Sequence, residues 1–351
     1  MTEFLLSPSA ASPAAVLPGM RLRAPRGRDD YRPMSEVYAA AARVDGLDEV
    51  VTEADMANFI ENPVGRDPAH DVVVAEVDGR LIAYAWISHR LENEGDEVHL
   101  HRGYVHPDWR RRGVGAALLR HLWRRAETVR LASEPTAPRV LHTFALESEA
   151  GAHALAQRAG YQSTRYFFSM ARRLADPIPE RILPDGVEVR PARPEHRRPI
   201  WEAQREAFQD HWGYFPWPEE AYQRFLQFPH YDLSLWQVAW QGEQVVGAVL
   251  NYINAAENEQ FGRRRGYTED IFVRRPWRRR GVASALIGRS LYALRARGME
   301  EAVLGVDAEN RTGALRVYES LGFQVAKQWT HYRRALGHEG IGTEAQMPRS
   351  P

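Results

Sequence analysis

The run VVVAEVDGRLIAYAWI, Val72 to Ile87, is rich in β-branched and aromatic residues and is interrupted once, at Asp78-Gly79. That pattern predicts two strands joined by a tight hairpin turn. WQVAWQGEQVVGAVLNYI, Trp236 to Ile253, has the same make-up around Gln241-Gly242 and predicts a second hairpin. Beyond it, Glu269 to Val273 reads as a strand. From Val282 to about Arg297 the period changes, and Val282, Leu286, Leu291 and Leu294 fall near one stripe of a helix. A strand at Ala302 to Val306, a short helix at Thr312 to Leu321 and a strand from Phe323 follow. Ahead of the hairpin, Val187 to Val189 predicts a strand and Pro199 to Phe208 a helix.

The same landmarks occur earlier in the same order. Gly19 matches Gly186, Gly79 matches Gly242, Trp109 matches Trp277, and Tyr161 after GAHALAQRAG matches Phe323 after GALRVYESLG. Four ordered matches at a nearly constant displacement indicate an internal duplication. The fold class predicted is α/β (α+β): two tandem domains, each a mixed twisted sheet flanked by helices. Residues 19–174 form the first and 187–336 the second, with the Pro-rich segment 175–186 as linker. Residues 1–18 and 337–351 lack periodicity and read as disordered tails.

Composition narrows the chemistry. The chain has 351 residues, 46 basic and 46 acidic, which disfavours a protein built to neutralise nucleic-acid phosphates. There is no cysteine, so thiol nucleophiles, disulfides and Cys-ligated zinc are excluded. Lys327 is the one lysine, so neither glycine loop can be a Walker loop. No apolar run approaches the ~20 residues of a membrane span, and no secretory signal is evident, so a cytoplasmic location is expected. Oligomeric state is not legible.

The strongest repeated element is Trp-Arg-Arg-Arg-Gly-Val, at Trp109 to Val114 and Trp277 to Val282. Each copy leaves an apolar strand and enters a helix. Gly281 permits a tight turn, and Ala283 and Ser284 are small enough for a ligand to approach the backbone. Unpaired amides at the helix start, with flanking guanidinium groups, suit a pyrophosphate. The first copy offers Arg110, Gly113, Gly115 and Ala116 in the same arrangement. Solvated arginines, or arginines touching RNA, are the plain alternative for one such run; the repeated context disfavours it.

Arg110-x-x-Gly113-x-Gly115 and Arg278-x-x-Gly281-x-Ala283 resemble the acyl-CoA pyrophosphate loop of the GNAT acetyltransferase superfamily. The later Asn310…Ala314…Tyr318…Gly322-Phe323 resembles its last helix, and the tandem order resembles its mycothiol synthase-like branch. The resemblance implies an acetyl-CoA-dependent N-acetyltransferase in which an amine attacks the thioester directly. The acceptor would be a small-molecule amine or a peptide N-terminus, with no nucleic-acid or membrane partner. The acetyl-CoA residues implied are Ile271, Phe272 and Val273 as backbone donors, Arg278, Arg279, Arg280, Gly281, Val282, Ala283 and Ser284 in the loop, and Asn310. In the first copy they are Val105, Arg110, Arg111, Arg112, Gly113, Val114, Gly115 and Ala116.

Transfer needs a base for the amine and an acid for the leaving thiolate. The resemblance makes Tyr318 the acid; core packing is the alternative for a tyrosine on an amphipathic helix. Glu269, four residues before Val273, is expected on that residue's strand face as the base, with Asp270 on the opposite face as the weaker choice. The first copy has Ala156 and His101 at these two positions, so only the second is expected to be catalytic. His99 and His101 form a His-x-His pair without an evident third metal ligand, and no metal is expected. The aromatic segment Ala207 to Trp236 is the expected acceptor region, with His211, Trp212 and Tyr214 as contacts; packing of a lid or an interface explains these rings equally well. A non-catalytic, acyl-CoA-binding pseudoenzyme is the competing function.

Overall fold

The computed structural model describes residues 17–131, 137–310 and 313–337. The two expected tails lie outside the described residues except for Leu17, Pro18 and Gly337, and Thr312 also falls outside. The first half runs β1 (Arg21–Arg23), α1 (Arg28–Asp45), α2 (Glu53–Glu61), α3 (Pro68–Asp71), β2 (Val72–Val77), β3 (Arg80–Leu91), β4 (Glu97–Val105), α4 (Val114–Thr128), β5 (Arg139–Leu146), α5 (Ala150–Arg158) and β6 (Gln162–Arg173). The second half repeats the order: β7 (Glu188–Arg190), α6 (Arg197–Ala207), α7 (Glu219–Leu226), β8 (Gln237–Gln241), β9 (Gln244–Tyr252), α8 (Ala255–Phe261), β10 (Arg265–Val273), α9 (Val282–Ala296), β11 (Glu301–Asp307), α10 (Ala314–Ser320) and β12 (Gln324–Ala335).

Local signals account for these boundaries. Asp78 and Gly79 both take positive φ, 47° and 80°, as a two-residue hairpin turn of matching twist requires. The Thr52 hydroxyl accepts from Asp55 N–H while the Asp55 carboxylate accepts from Thr52 N–H, a reciprocal cap that starts α2.

The twelve strands among the described residues form one sheet, ordered β1-β2-β3-β4-β5-β12-β6-β11-β10-β9-β8-β7. The final strands are exchanged. β12 inserts between β5 and β6, and β6 pairs with β11 of the second half along Glu301↔Arg173 to Asp307↔Phe167. Neither half therefore completes its sheet from its own residues. Helices cover both faces. One face packs α4 and α9 in two cores, around Leu118, Leu122 and Trp123 and around Leu286, Leu291 and Phe323. On the other face α1 and α2 pack a core around Met34 and Val37, and α6 packs one around Ile200 and Trp236.

Ion pairs fasten the halves across the exchange. Asp48 in the first half takes Arg263, Arg265 and the lone lysine, Lys327, at 2.8, 2.6 and 2.8 Å. Against the raising effect of burial, Lys327 and Arg265 hold the Asp48 carboxyl well below the ordinary carboxylate range.

Candidate functional site

Both arginine loops are built alike. A one-turn 3₁₀ segment, Pro107–Trp109 or Arg275–Trp277, leads to a loop in which Arg111 and Gly113, or Arg279 and Gly281, take positive φ. Gly113 and Gly281, both at φ 80°, then cap α4 and α9 with no side-chain partner. The first intrahelical bonds are Ala117 N–H to Gly113 O and Ala285 N–H to Gly281 O. Among the described residues nothing accepts from the amides of Arg111 to Ala116 or of Arg279 to Ser284. These bare amides lie at the positive end of a four-turn helix, a fit for a diphosphate.

The arginines divide in role. Arg110 donates from Nε to Val105 O at 3.1 Å and pairs through both Nη with Asp45 at 2.7 Å. Arg278 likewise donates to Val273 O at 2.9 Å and to Asp210 at 2.6 Å. Both fold the loop back onto its own strand, so a direct phosphate contact is not what this geometry gives them. Arg111, Arg112, Arg279 and Arg280 are exposed and have no carboxylate partner among the described residues. These four remain free to meet an anion.

Just before the second loop the sheet opens. β10 pairs in parallel with β11 only from Arg265↔Glu301 to Tyr267↔Val303, so Ile271, Phe272 and Val273 no longer face a β11 partner. On its other side β10 carries a bulge: Glu269 pairs with Leu250 and Phe272 with Ala248, so Asp270 and Ile271 together stand opposite the single residue Val249. This corrects the alternation expected from sequence. Glu269 shares its face with Phe272, not Val273, because the bulge shifts the pleat by one residue. Asp270, expected on the opposite face, takes φ 48° and points its carboxylate at Tyr231, on the same side as Glu269. Ile271 and Val273 turn instead to the core under α9.

Glu269 sits at the mouth of the opening, where its Oε1 accepts from Gly305 N–H of β11 at 3.1 Å. Burial, and then the Asp270 charge, push its carboxyl up to about 8 against the lowering effect of that amide. Tyr318 on α10 is 7 % exposed and packs edge-on against Phe323. Burial and the Glu269 charge both raise its phenol above the ordinary value. The acid and base candidates therefore share one electrostatic neighbourhood at the end of the opening. Asn310 follows β11 in the turn that leads to α10, where its N–H donates to Asp307 O.

A cavity of about 440 Å³ lies in front of Glu269 and is walled by both halves. The first half supplies Glu49, Asp55 and Trp86; the second supplies Arg224, His230, Tyr252, Tyr267 and Glu257. His230 reaches across to Asp55 at 3.2 Å. Sequence reading placed the segment that holds Arg224 and His230 at the acceptor but singled out none of these residues. Asp55 announces itself only as a helix cap, and no local pattern shows that it faces a segment 175 residues away.

His211, Trp212 and Tyr214 do not line this cavity. His211 stacks on Phe208, and Trp212 lies over the exchanged strands against His142 and His331, with the Arg333 guanidinium 4.3 Å from its ring. The Tyr214 backbone accepts from Asn93 N–H. Trp212 and Tyr214 thus clamp the second half onto the first.

The first half has a groove of about 270 Å³ along its own loop, bordered by Val105, Gly113, Gly115, Ala116 and Leu155. Its β4 opens from β5 after Leu100↔His142, yet the β3–β4 register runs unbroken from Ala83↔Val105 to Leu91↔Glu97. The bulge is absent. Buried Arg102 spans the opening, bonded to Phe144 O and paired with Glu149 at 2.7 Å. His101 is locked to Tyr161 at 2.6 Å, and burial with the neighbouring Arg102 holds its imidazole down at about 3. His99 hydrogen-bonds His89 at 2.8 Å, so the two histidines of the His-x-His pair face different partners.

The model of the acetyltransferase (GNAT) family matches the chain twice, over residues 33–161 and 199–323. A mycothiol acetyltransferase of Geodermatophilus obscurus is 30% identical over 300 residues, covering 84% of this chain and 91% of the relative. One of Salinispora tropica is 31% identical over 320 residues, covering 90% and 95%. Among solved structures, a GCN5-related N-acetyltransferase from Sphaerobacter thermophilus superposes with a TM-score of 0.65 at 27% identity, covering 92% of this chain and 97% of that one. A tandem GNAT protein from the clavulanic acid biosynthesis pathway gives 0.63 at 17% identity, covering 91% and 99%, a likeness of fold.

Proposed function

We propose, for a chain that belongs to the GNAT acetyltransferase family and takes its acetyl group from acetyl-CoA, that transfer occurs in the second half onto an amine seated in the cavity between the halves. The observation that carries this reading is the junction of three features at Glu269: the opened strand, the bulge and the shared cavity. Acetyl-CoA supplies an activated acyl carbon. The amides of Arg279 to Ser284 hold its diphosphate, with Arg279 and Arg280 adding charge. Glu269, with a carboxyl near 8, takes the proton of the incoming ammonium, and Tyr318 returns a proton to the departing sulfur.

The first half is proposed to hold the nucleotide end of a second acyl-CoA without transferring from it, because Arg102 and Glu149 fill its opening and Ala156 stands where Tyr318 would be. The cavity favours a compact acceptor. Its carboxylates, Glu49, Asp55, Glu257 and Glu269, suit a cation, and its phenols and His230 suit hydroxyl groups. A small, hydroxyl-bearing primary amine meets both demands, and the acceptor named in the mycothiol acetyltransferase relatives is the first to test.

The test is release of free CoA thiol from acetyl-CoA across a panel of amines. Turnover that collapses in Tyr318→Phe, with acetyl-CoA affinity retained, supports the reading. Equal turnover in that variant removes Tyr318, and CoA binding without turnover on any amine favours the pseudoenzyme.

A further inference from the structure

Asp270 is a carboxylate that the transfer chemistry leaves without a task. It occupies the bulge in the left-handed region, at φ 48°, where few residues other than glycine, asparagine and aspartate sit comfortably. Its carboxylate is tied from two elements. The Tyr231 hydroxyl donates to Oδ2 at 2.5 Å, and the Gln204 amide on α6, 3 % exposed, donates as well. Tyr231 is itself bridged to Tyr252 of β9, so the anchor reaches from the segment after α7 to the strand beside the bulge. No such set exists in the first half, where Arg102 stands at the matching position in a regular ladder.

Resting on the assignment of Glu269 as base, we propose that Asp270 is a positioning residue, whose anchored carboxylate holds the bulge in shape and sets a second negative charge beside Glu269. The geometry gives it both tasks. The bulge carries Glu269 and Asp270 onto one face, and the bonds from Tyr231 and Gln204 add to the ladder on either side in holding the Asp270 backbone at its positive φ. Two adjacent carboxylates on one face disfavour ionisation of both, which makes the one that does ionise a stronger base. The other titratable or charged groups around the pair are Tyr231, bonded to Asp270, Tyr318 behind Glu269, and on the cavity wall Glu49, Asp55, Arg224, His230, Tyr252, Glu257 and Tyr267. Asp270 adjoins Glu269 directly and is the largest of their charge effects upon it.

Asp270→Asn tests the proposal. Asparagine tolerates positive φ and still accepts from Tyr231, so the charge is lost, together with the acceptor that faces Gln204, while the Tyr231 anchor stays. The acidic limb of the kcat–pH profile should move at least half a unit lower, leaving activity at pH 6.5 about threefold nearer its plateau, while the acetyl-CoA KM stays within twofold. An unmoved limb overturns the proposal. Tyr231→Phe keeps the charge and frees the anchor; kcat should fall severalfold without a change in acetyl-CoA KM, and an unchanged kcat overturns the anchoring half even if Asp270→Asn does not fold. Glu269→Gln separates the two layers. A limb lost in Glu269→Gln but unmoved in Asp270→Asn refutes only the role of Asp270; a limb that persists in Glu269→Gln refutes the base and this proposal with it.

Discussion

Glu269 should make the enzyme active at the expense of its own fold. An ordinary glutamate titrates at 4.5, whereas burial and Asp270 place this carboxyl at about 8. A folded-state value above the unfolded one means that folding favours the protonated form. Stability is therefore undiminished below about pH 4.5, declines as pH rises from there through 8, and levels off above it. The shift corresponds to a ceiling of about 5 kcal/mol at ~1.4 kcal/mol per unit. Glu269 is half-buried against a water-accessible cavity, and screening there reduces the expected penalty to about 1–2 kcal/mol. Glu269→Gln removes the charge and nearly keeps the shape. Its melting temperature should match the parent protein at pH 5 and exceed it by about 2 °C or more at pH 9, while turnover falls by about 10²–10⁴-fold. Scanning calorimetry across pH 5–9, with thiol release on the same samples, measures both. Parallel melting curves at all pH values would refute the placement of a strained carboxylate at this site.

Three further outcomes are expected. In Tyr318→Phe, kcat should drop at least tenfold while CoA affinity measured by calorimetric titration is unchanged, since the ring still packs on Phe323. Replacing Arg279 and Arg280 together with glutamine should raise the acetyl-CoA KM about tenfold and flatten its salt dependence, whereas the same change at Arg111 and Arg112 should leave steady-state kinetics unaltered. Arg102→Ala strands Glu149, buried at 4 % exposure, and should cost about 3–5 kcal/mol in urea unfolding with little effect on acetyl-CoA KM.

Much of the site was legible in one dimension because its signals are local. The arginine loops announce a turn and a helix start within six residues, and the ordered recurrence of glycines and hairpins exposes the duplication. Glu269 and Tyr318 were named from strand spacing and from a helix pattern, and the fold brings the Glu269 charge within reach of the Tyr318 phenol. The face of Glu269 was misread because strict alternation assumes an unbroken pleat, and one extra residue at Asp270 reverses every side chain beyond it. Arg110 and Arg278 read as anion contacts because sequence shows a cation near a loop but not Asp45 or Asp210 waiting for it. The aromatic segment around Trp212 was placed at the acceptor because its composition suits a pocket and an interface equally, and only the fold decides between them. The cavity and the exchange of β6 and β12 rest on pairings between distant segments, for which no short window of residues carries a signature.

The exchanged strands explain why the first half, proposed above to transfer nothing itself, is inseparable from the second. Copies that merely sat side by side could part company once one fell silent, and deletion would cost the other nothing. Here β6 of the first half forms the wall against which β11, with its Gly305 amide, is held before Glu269. Cutting the gene between the halves should thus yield two fragments with raw sheet edges, each insoluble by itself and recovering as a nicked enzyme only when produced together. Inheritance of the pair is all or nothing.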